Sequence, residues 1–236
     1  MPHQLYDIRQ AAGYLHVTEE DVRRMVKRGE LPCLRKGDRM MFQRREIDAW
    51  ASQRILAFDK KTLTSFHAAS GEVVEEGSER ETLVSDFFRR EWIEPALPSK
   101  TRAAVFRDMV DLAERSERVY DPADLLQTLR EREEIRSTAL PGGLALLHPR
   151  HHDPYMFSDS FMVLGRTVQP VPFGAPDGRT TDLFFLICSQ YDRLHLHLLT
   201  RICRMVQQTS LLESLREAPD GGAMLVAISE AEAKVV

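Results

Sequence analysis

The chain has 236 residues, of which 43% are hydrophobic and 29% charged, and its net charge is −4. That length gives room for one large or two modest domains with proper cores, and the composition is that of an ordinary soluble globular protein. No apolar run approaches the ~20 residues that span a bilayer and no signal-peptide pattern opens the chain, so a cytoplasmic protein without membrane contact is expected. Charge is uneven along the chain: residues 1–56 hold eleven Lys/Arg against eight Asp/Glu, a balance of +3, which leaves −7 for the remainder. Such asymmetry suggests two domains with different partners.

In residues 5–15, Leu5, Ile8, Ala11, Ala12 and Leu15 recur at helical spacing, with Asp7 as the N-cap. Thr18 caps a second helix through Arg28, with Glu19, Glu20 and Asp21 in its first turn. Gly29 ends it, and Leu31-Pro32 turns the chain away. Leu34-Arg35 and Met40-Met41-Phe42 flank Lys36-Gly37-Asp38 as a small hairpin. A third helix, about 44–56, buries Ile47 and Trp50.

These elements, with the A-A-x-Y-L-x-V-T run, the R-G-E-L-P turn and the final I-x-x-W, resemble the excisionase/MerR-type winged helix-turn-helix, a small, mostly α fold with a β-hairpin. The resemblance implies double-stranded DNA as a partner. Arg23, Arg24 and Lys27 on the second helix would face the major groove, and Arg35, Lys36 and Arg39 on the wing would meet phosphates. Glu19, Glu20 and Asp21 depart from the family, which usually carries Ser, Arg or Thr there. They stabilise the helix N-terminus but repel phosphates, so a domain used for protein contacts stays open beside DNA binding. A module this small is expected to work as a dimer, although no heptad seam is present to hold one.

Residues 57–80 show no sustained period and read as a linker, giving domains at 1–56 and 81–236. From Leu83, an apolar segment through Ile93 is stopped by Pro95 and Pro98. Ser99 opens a helix through about Glu117, and Asp121-Pro122 opens another. Strand-like runs follow at 144–147, 161–164, 182–188 and 223–228, with a long helix over about 192–216. Helices alternating with strands predict an α/β sandwich, a mixed sheet flanked by helices. Cys33, Cys188 and Cys203 are odd in number and read as reduced packing residues.

One stretch carries chemistry: Arg132 to His148, R-E-E-I-R-S-T-A-L-P-G-G-L-A-L-L-H. A charged helix end runs into the Ser137-Thr138 turn, a Pro141-Gly142-Gly143 bend and a short apolar strand. His148 leaves that strand at its rim, where it is expected to meet solvent as a nucleophile or proton carrier. Further on, His195 shares one helical face with Leu198, Leu199, Ile202, Met205 and Val206, so it points inward, whereas His197 lies off that face and is expected to be exposed.

The stretch resembles the enzyme IIA domains of the fructose/mannitol and nitrogen-regulatory branch of the phosphoenolpyruvate-dependent phosphotransferase system (PTS), whose pattern is roughly R-E-x-x-x-S-T-G-I-G-x-G-I-A-I-P-H. Arg132, Glu133, Ser137, Thr138, Gly143, Ala145 and His148 match it without a gap. Phe173-Gly174-Ala175-Pro176-Asp177-Gly178 and His195-Leu196 followed by Leu198-Leu199 match further on. The resemblance covers about residues 80–236 and implies the enzyme IIA type 2 fold. It further implies that His148 accepts a phosphoryl group from the phosphocarrier protein HPr or its nitrogen-branch counterpart, with Arg132 and His195 beside it. Thr138 either donates a hydrogen bond to a phosphoryl oxygen or stabilises its turn, and Arg132 has the alternative of an ion pair with a neighbouring Glu. Leu147 stands where the family has proline, with Pro149 moved to the other side of the histidine.

The resemblance implies a phosphohistidine carrier rather than a turnover enzyme, and no cofactor is expected, because neither a Walker loop nor a Gly-rich nucleotide fingerprint is present. His148, His151 and His152 lack carboxylate or cysteine ligands at matching spacing, so no metal is expected. Three functions remain open: a DNA-binding regulator switched by phosphorylation, a phosphotransferase component passing the group to a IIB domain, and a IIA-like binding module that is not phosphorylated.

Overall fold

The structure, a computed structural model, describes residues 5–15, 17–37, 39–44, 46, 47, 50, 51, 55, 82–149 and 155–235. The chain divides into two compact units, Met1–Glu72 and Val73–Val236. The expected linker, 57–80, lies outside the described residues.

In the first unit a two-residue strand β1 (Leu5–Tyr6) precedes helix α1 (Ile8–Leu15). Asp7 caps that helix by accepting from Gln10 N at 2.8 Å. Helix α2 (Glu19–Lys27) opens on a capping box between Thr18 and Asp21, and Gly29, at φ 70°, turns the chain out of it. Strands β2 (Leu34–Lys36) and β3 (Arg39–Gln43) form the hairpin, and β1 adds to β3 for a sheet of order β1-β3-β2. Ala11, Leu15, Val22, Leu31, Phe42 and Ile47 fill the core. Residues 44, 46, 47, 50, 51 and 55 are helical, and the rest of the expected third helix lies outside the described residues.

The second unit opens with two 3-10 turns, Val84–Phe87 and Arg90–Trp92, then β4 (Ile93–Leu97), α3 (Arg102–Glu114) and α4 (Pro122–Ile135). Next come β5 (Ala139–Leu140), β6 (Leu144–Leu147), β7 (Phe161–Val171) and β8 (Thr181–Cys188). Helices α5 (Asp192–Gln208), α6 (Leu211–Glu217) and α7 (Gly221–Ala233) close the chain. The sheet order is β4-β7-β8-β6-β5, with β4 parallel to β7, β6 parallel to β8, and the other pairs antiparallel.

Every residue of β6 and seven of the eight in β8 are buried, so the central strands are covered on both faces, as in an α/β sandwich. Alternate side chains, Ala145, Leu147, Val163, Phe184 and Leu186, join Val105, Phe106, Met109 and Leu125 of α3 and α4 in one core. Gly165 lets α3 approach the sheet: a Cβ there would lie 2.8 Å from Met109 Sδ and 2.2 Å from Leu97 Cδ1.

Four details differ from the sequence reading. Residues 223–228 are helical, inside α7, because Asp220 caps that helix by accepting from Ala223 N at 2.9 Å. A short apolar run cannot by itself tell a strand from a buried helix. The long helix breaks at Thr209, whose hydroxyl donates to Met205 O at 2.7 Å and accepts from Leu211 N at 3.2 Å. Pro95 does not stop the chain but sits within β4, which is an edge strand and tolerates a missing donor. The cap of α3 is Thr101 rather than Ser99.

Candidate functional site

Strands β6 and β8 run parallel, so both deliver their C-terminal ends to the same edge of the sheet. That edge is where open α/β sheets place their ligands. His148 follows β6 directly, and β8 leads through 189–191 into the first turns of α5, which carry His195. The imidazoles of His148 and His195 meet there with centroids 4.7 Å apart and planes inclined at 49°. From the last turn of α4, Arg132 Nε donates to His148 Nε2 at 2.9 Å, and its Nη1 donates to Arg136 O at 3.0 Å. The structure thus brings together Arg132, His148 and His195, which the sequence holds 16 and 47 residues apart.

The partners assign the tautomer of His148. A guanidinium only donates, so Nε2 accepts; a backbone carbonyl only accepts, so Nδ1, 3.0 Å from Leu146 O, carries the proton. The lone pair therefore sits on Nε2, beside the guanidinium. His148 does not meet solvent as the strand's exit suggested: it is 2% exposed, and Pro149 behind it is buried as well.

Thr138 bonds Glu133. Its hydroxyl donates to Glu133 Oε2 at 2.6 Å, and its amide donates to both oxygens of the same carboxylate. Glu133 is 3% exposed and its charge is met by Arg102 Nη2 at 2.8 Å. Glu133 and Arg102 were missed as candidate residues; the signal was Glu133 itself, an acid five residues ahead of Thr138 at a helix end. The second matching segment also has a structural part. Phe173 O accepts from Ser137 Oγ at 2.7 Å, and Asp177 Oδ2 accepts from Gly142 N at 3.1 Å, so this segment braces both bends that lead to His148. Gly143, at φ 88°, gives the second bend a backbone that side-chained residues rarely adopt.

His197 is another correction. Every residue of helix α5 from Leu194 to Cys203 is buried, and His197 is 3% exposed, with Nε2 3.0 Å from Thr82 O. Among the described residues no group of three or more His, Cys, Asp or Glu could hold a metal ion, and His151 and His152 lie outside them. No described helix is long and apolar enough to cross a membrane.

In the first unit Arg23, Arg24 and Lys27 stand exposed on α2, and Arg35, Lys36 and Arg39 are exposed on the hairpin, where Lys36 and Arg39 are paired. The acidic first turn reaches the basic face: Glu19 binds Arg23 at 3.0 Å, and Asp21 pairs with Arg24.

Residues 86–231, more than half of the chain, match the family described as phosphoenolpyruvate-dependent sugar phosphotransferase system, EIIA 2. The chain belongs to this family. Residues 5–55 match a helix-turn-helix domain family, so a helix-turn-helix unit is joined to the EIIA domain. The EIIA domain is similar to a protein named nitrogen regulatory protein from Pseudomonas aeruginosa, 28% identical over 130 residues that cover 54% of this chain and 82% of the relative. A protein of the same name from Bradyrhizobium diazoefficiens is 25% identical over 147 residues, 60% of this chain and 91% of the relative. Among solved structures, nitrogen regulatory protein IIA-Ntr from Neisseria meningitidis aligns with a TM-score of 0.57 at 26% identity, covering 62% of this chain and 99% of that one. The IIA mannitol protein of Escherichia coli in complex with phosphorylated IIB aligns at 0.54 and 17% identity, covering 61% and 97%, which supports the EIIA fold.

Proposed function

We propose that this chain is a cytoplasmic, PTS-linked bacterial regulator, in which His148 of an 81–236 EIIA domain is phosphorylated by an HPr-type phosphocarrier and a 1–56 helix-turn-helix module binds DNA. The observation that carries the proposal is the Arg132–His148–His195 cluster, with the lone pair of Nε2 held 2.9 Å from a guanidinium. In the reaction, Nε2 attacks the phosphorus of the carrier's phosphohistidine, the new Nε2–P bond forms, and the P–N bond to the carrier breaks with its electron pair returning to the carrier's imidazole. Arg132 releases Nε2 and turns to the phosphoryl oxygens, whose charge its planar fork matches. His195, the other imidazole at the edge, takes a further oxygen. The Nδ1–H bond to Leu146 O is kept throughout, so the ring is held while its outer nitrogen reacts. Phosphorylation adds about two negative charges and three acceptors, enough to alter how the EIIA domain meets its partners and so bias the DNA-binding module. The nitrogen regulatory names of the relatives support a regulatory reading.

Incubation with phosphoenolpyruvate, enzyme I and HPr tests the first half. Intact mass should rise by one acid-labile phosphoryl group in the wild type and not in His148→Gln; no gain in the wild type, with HPr and its nitrogen-branch counterpart both tried, removes the reading. A gel shift on random duplex at low salt tests the second, because a DNA binder gives salt-sensitive retardation. The ion pairs of Glu19 and Asp21 with Arg23 and Arg24 favour a second reading. In it the module contacts protein and the EIIA domain passes its phosphoryl group to a IIB domain. No retardation, together with transfer to an added IIB domain, selects that one.

A further inference from the structure

Thr138 and Leu146 face each other at the mouth of the β5–β6 hairpin. Leu146 N donates to Thr138 O at 3.1 Å. Ala139 pairs with Ala145 and Leu140 with Leu144, so Thr138 and Leu146 fall in register one step further on. Their bond marks a hydrogen-bonded pair of the antiparallel ladder, and in such a pair each residue both donates and accepts. The reciprocal bond, Thr138 N to Leu146 O, is replaced. The Thr138 amide points instead at the Glu133 carboxylate, 3.0 and 3.1 Å from its two oxygens, and Leu146 O accepts Nδ1–H of His148 at 3.0 Å. Strand β5 accordingly begins only at Ala139.

We propose that Glu133 is a positioning residue for the histidine: by capturing the Thr138 amide it releases the Leu146 carbonyl from the ladder, and that carbonyl then holds His148 in the tautomer with Nε2 unprotonated. A carboxylate suits the task because two oxygens must serve three donors, the Thr138 amide, the Thr138 hydroxyl and Arg102 Nη2. Glutamine offers one acceptor oxygen for the same three. Without any acceptor at 133, the Thr138 amide turns to the carbonyl that faces it in the ladder, Leu146 O. His148 then shares or loses its anchor, while Arg132 Nε alone favours an unprotonated Nε2. The kinetic part of this inference rests on the proposed phosphorylation of His148; the tautomer part stands without it.

The test uses the full chain, 15N-labelled on histidine, with two-bond 1H–15N correlation spectra of the imidazoles near neutral pH. Wild type should show His148 as the Nδ1–H form. Glu133→Ala should gain Nε2–H form, and phosphorylation by HPr should slow by about tenfold or more, since small misplacements of a reacting group are costly. Glu133→Gln should fall between the two. An unchanged tautomer in Glu133→Ala overturns the inference whatever happens to the rate, because a purely structural glutamate would slow transfer without moving the proton. A wild type already in the Nε2–H form overturns it too. If Glu133→Ala fails to fold, Glu133→Gln decides by the same spectrum. A wild type that HPr does not phosphorylate removes the proposed function, and the spectra still decide the role of Glu133.

Discussion

Arg132 Nε and His148 Nε2 stand 2.9 Å apart, both side chains being 2% exposed, so a fixed cation faces the one imidazole nitrogen that keeps its lone pair. At low dielectric such a preorganised charge stabilises a developing phosphoryl anion far more than it would in water. Arg132→Gln should slow phosphoryl transfer by about a hundredfold, read by quenched-flow transfer from phosphorylated HPr. Arg132→Lys should recover only part of the loss, because an ammonium lacks the planar fork. A lysine variant as fast as wild type would show that charge alone suffices there.

A second buried pair holds the start of the EIIA domain. Arg201 Nε lies 2.8 Å from Glu232 Oε1, and the same carboxylate accepts from Val84 N at 2.6 Å and from Ser85 N and Oγ at 3.0 and 2.9 Å. Removing one partner of a buried pair strands the other, which costs about 3–5 kcal/mol. Glu232→Ala should lower stability by that order in urea denaturation followed by near-UV circular dichroism. The double variant Arg201→Met/Glu232→Leu should lose less than the single one; an equal or larger loss would contradict the account of a stranded charge.

The sequence made much of this domain legible where local chemistry is decisive. Asp121-Pro122 caps a helix because Asp121 Oδ1 accepts from Ala123 N and Asp124 N and proline needs no donor there. The 144–147 strand is bounded by glycines on one side and a proline two residues beyond on the other. His195 points inward as its helical face requires, and it meets His148. What failed had two causes, cover from a distant segment and a cap. His197 looks exposed on a helical wheel, yet the segment at Thr82, far earlier in the chain, covers it. Residues 223–228 look like a strand, since all six are apolar, and the cap at Asp220 decided otherwise. Glu133 could be quoted as a motif letter, but its competition with a strand carbonyl exists only once Thr138 and Leu146 face each other.

Acid should loosen two braces. Backbone N–H groups of Arg179 and Gly142 hold the Asp177 carboxyl below its ordinary 3.8, and the N–H of Ala223 does the same for Asp220. A carboxyl that ionises more readily folded than unfolded adds stability that is complete above pH 3.8 and is lost as pH falls below it through the folded value. Urea midpoints of wild type and Asp220→Ala should therefore differ at pH 6 and converge in acid. A constant difference down to the acid limb would mean that the cap acts without its charge.

The cysteines should separate cleanly by reactivity. Burial pushes the thiol of Cys203 up to about 12 and that of Cys188 well above its ordinary value, whereas Cys33 is only half-buried. Thiolates are the reacting species, so a disulfide reagent at pH 8 should label Cys33 promptly and the other two only on unfolding. Prompt labelling of more than one thiol in the native chain would contradict the packing of α5 on β8.

The central claim is that Nε2 of His148 receives the phosphoryl group, and the regiochemistry of the phosphorylated chain tests it most directly. After treatment with phosphoenolpyruvate, enzyme I and HPr, 15N-labelled protein should show one phosphohistidine, at His148, with the phosphorus bonded to Nε2 and Nδ1 still protonated. A phosphate on Nδ1, on His195, or on no histidine at all would contradict the account.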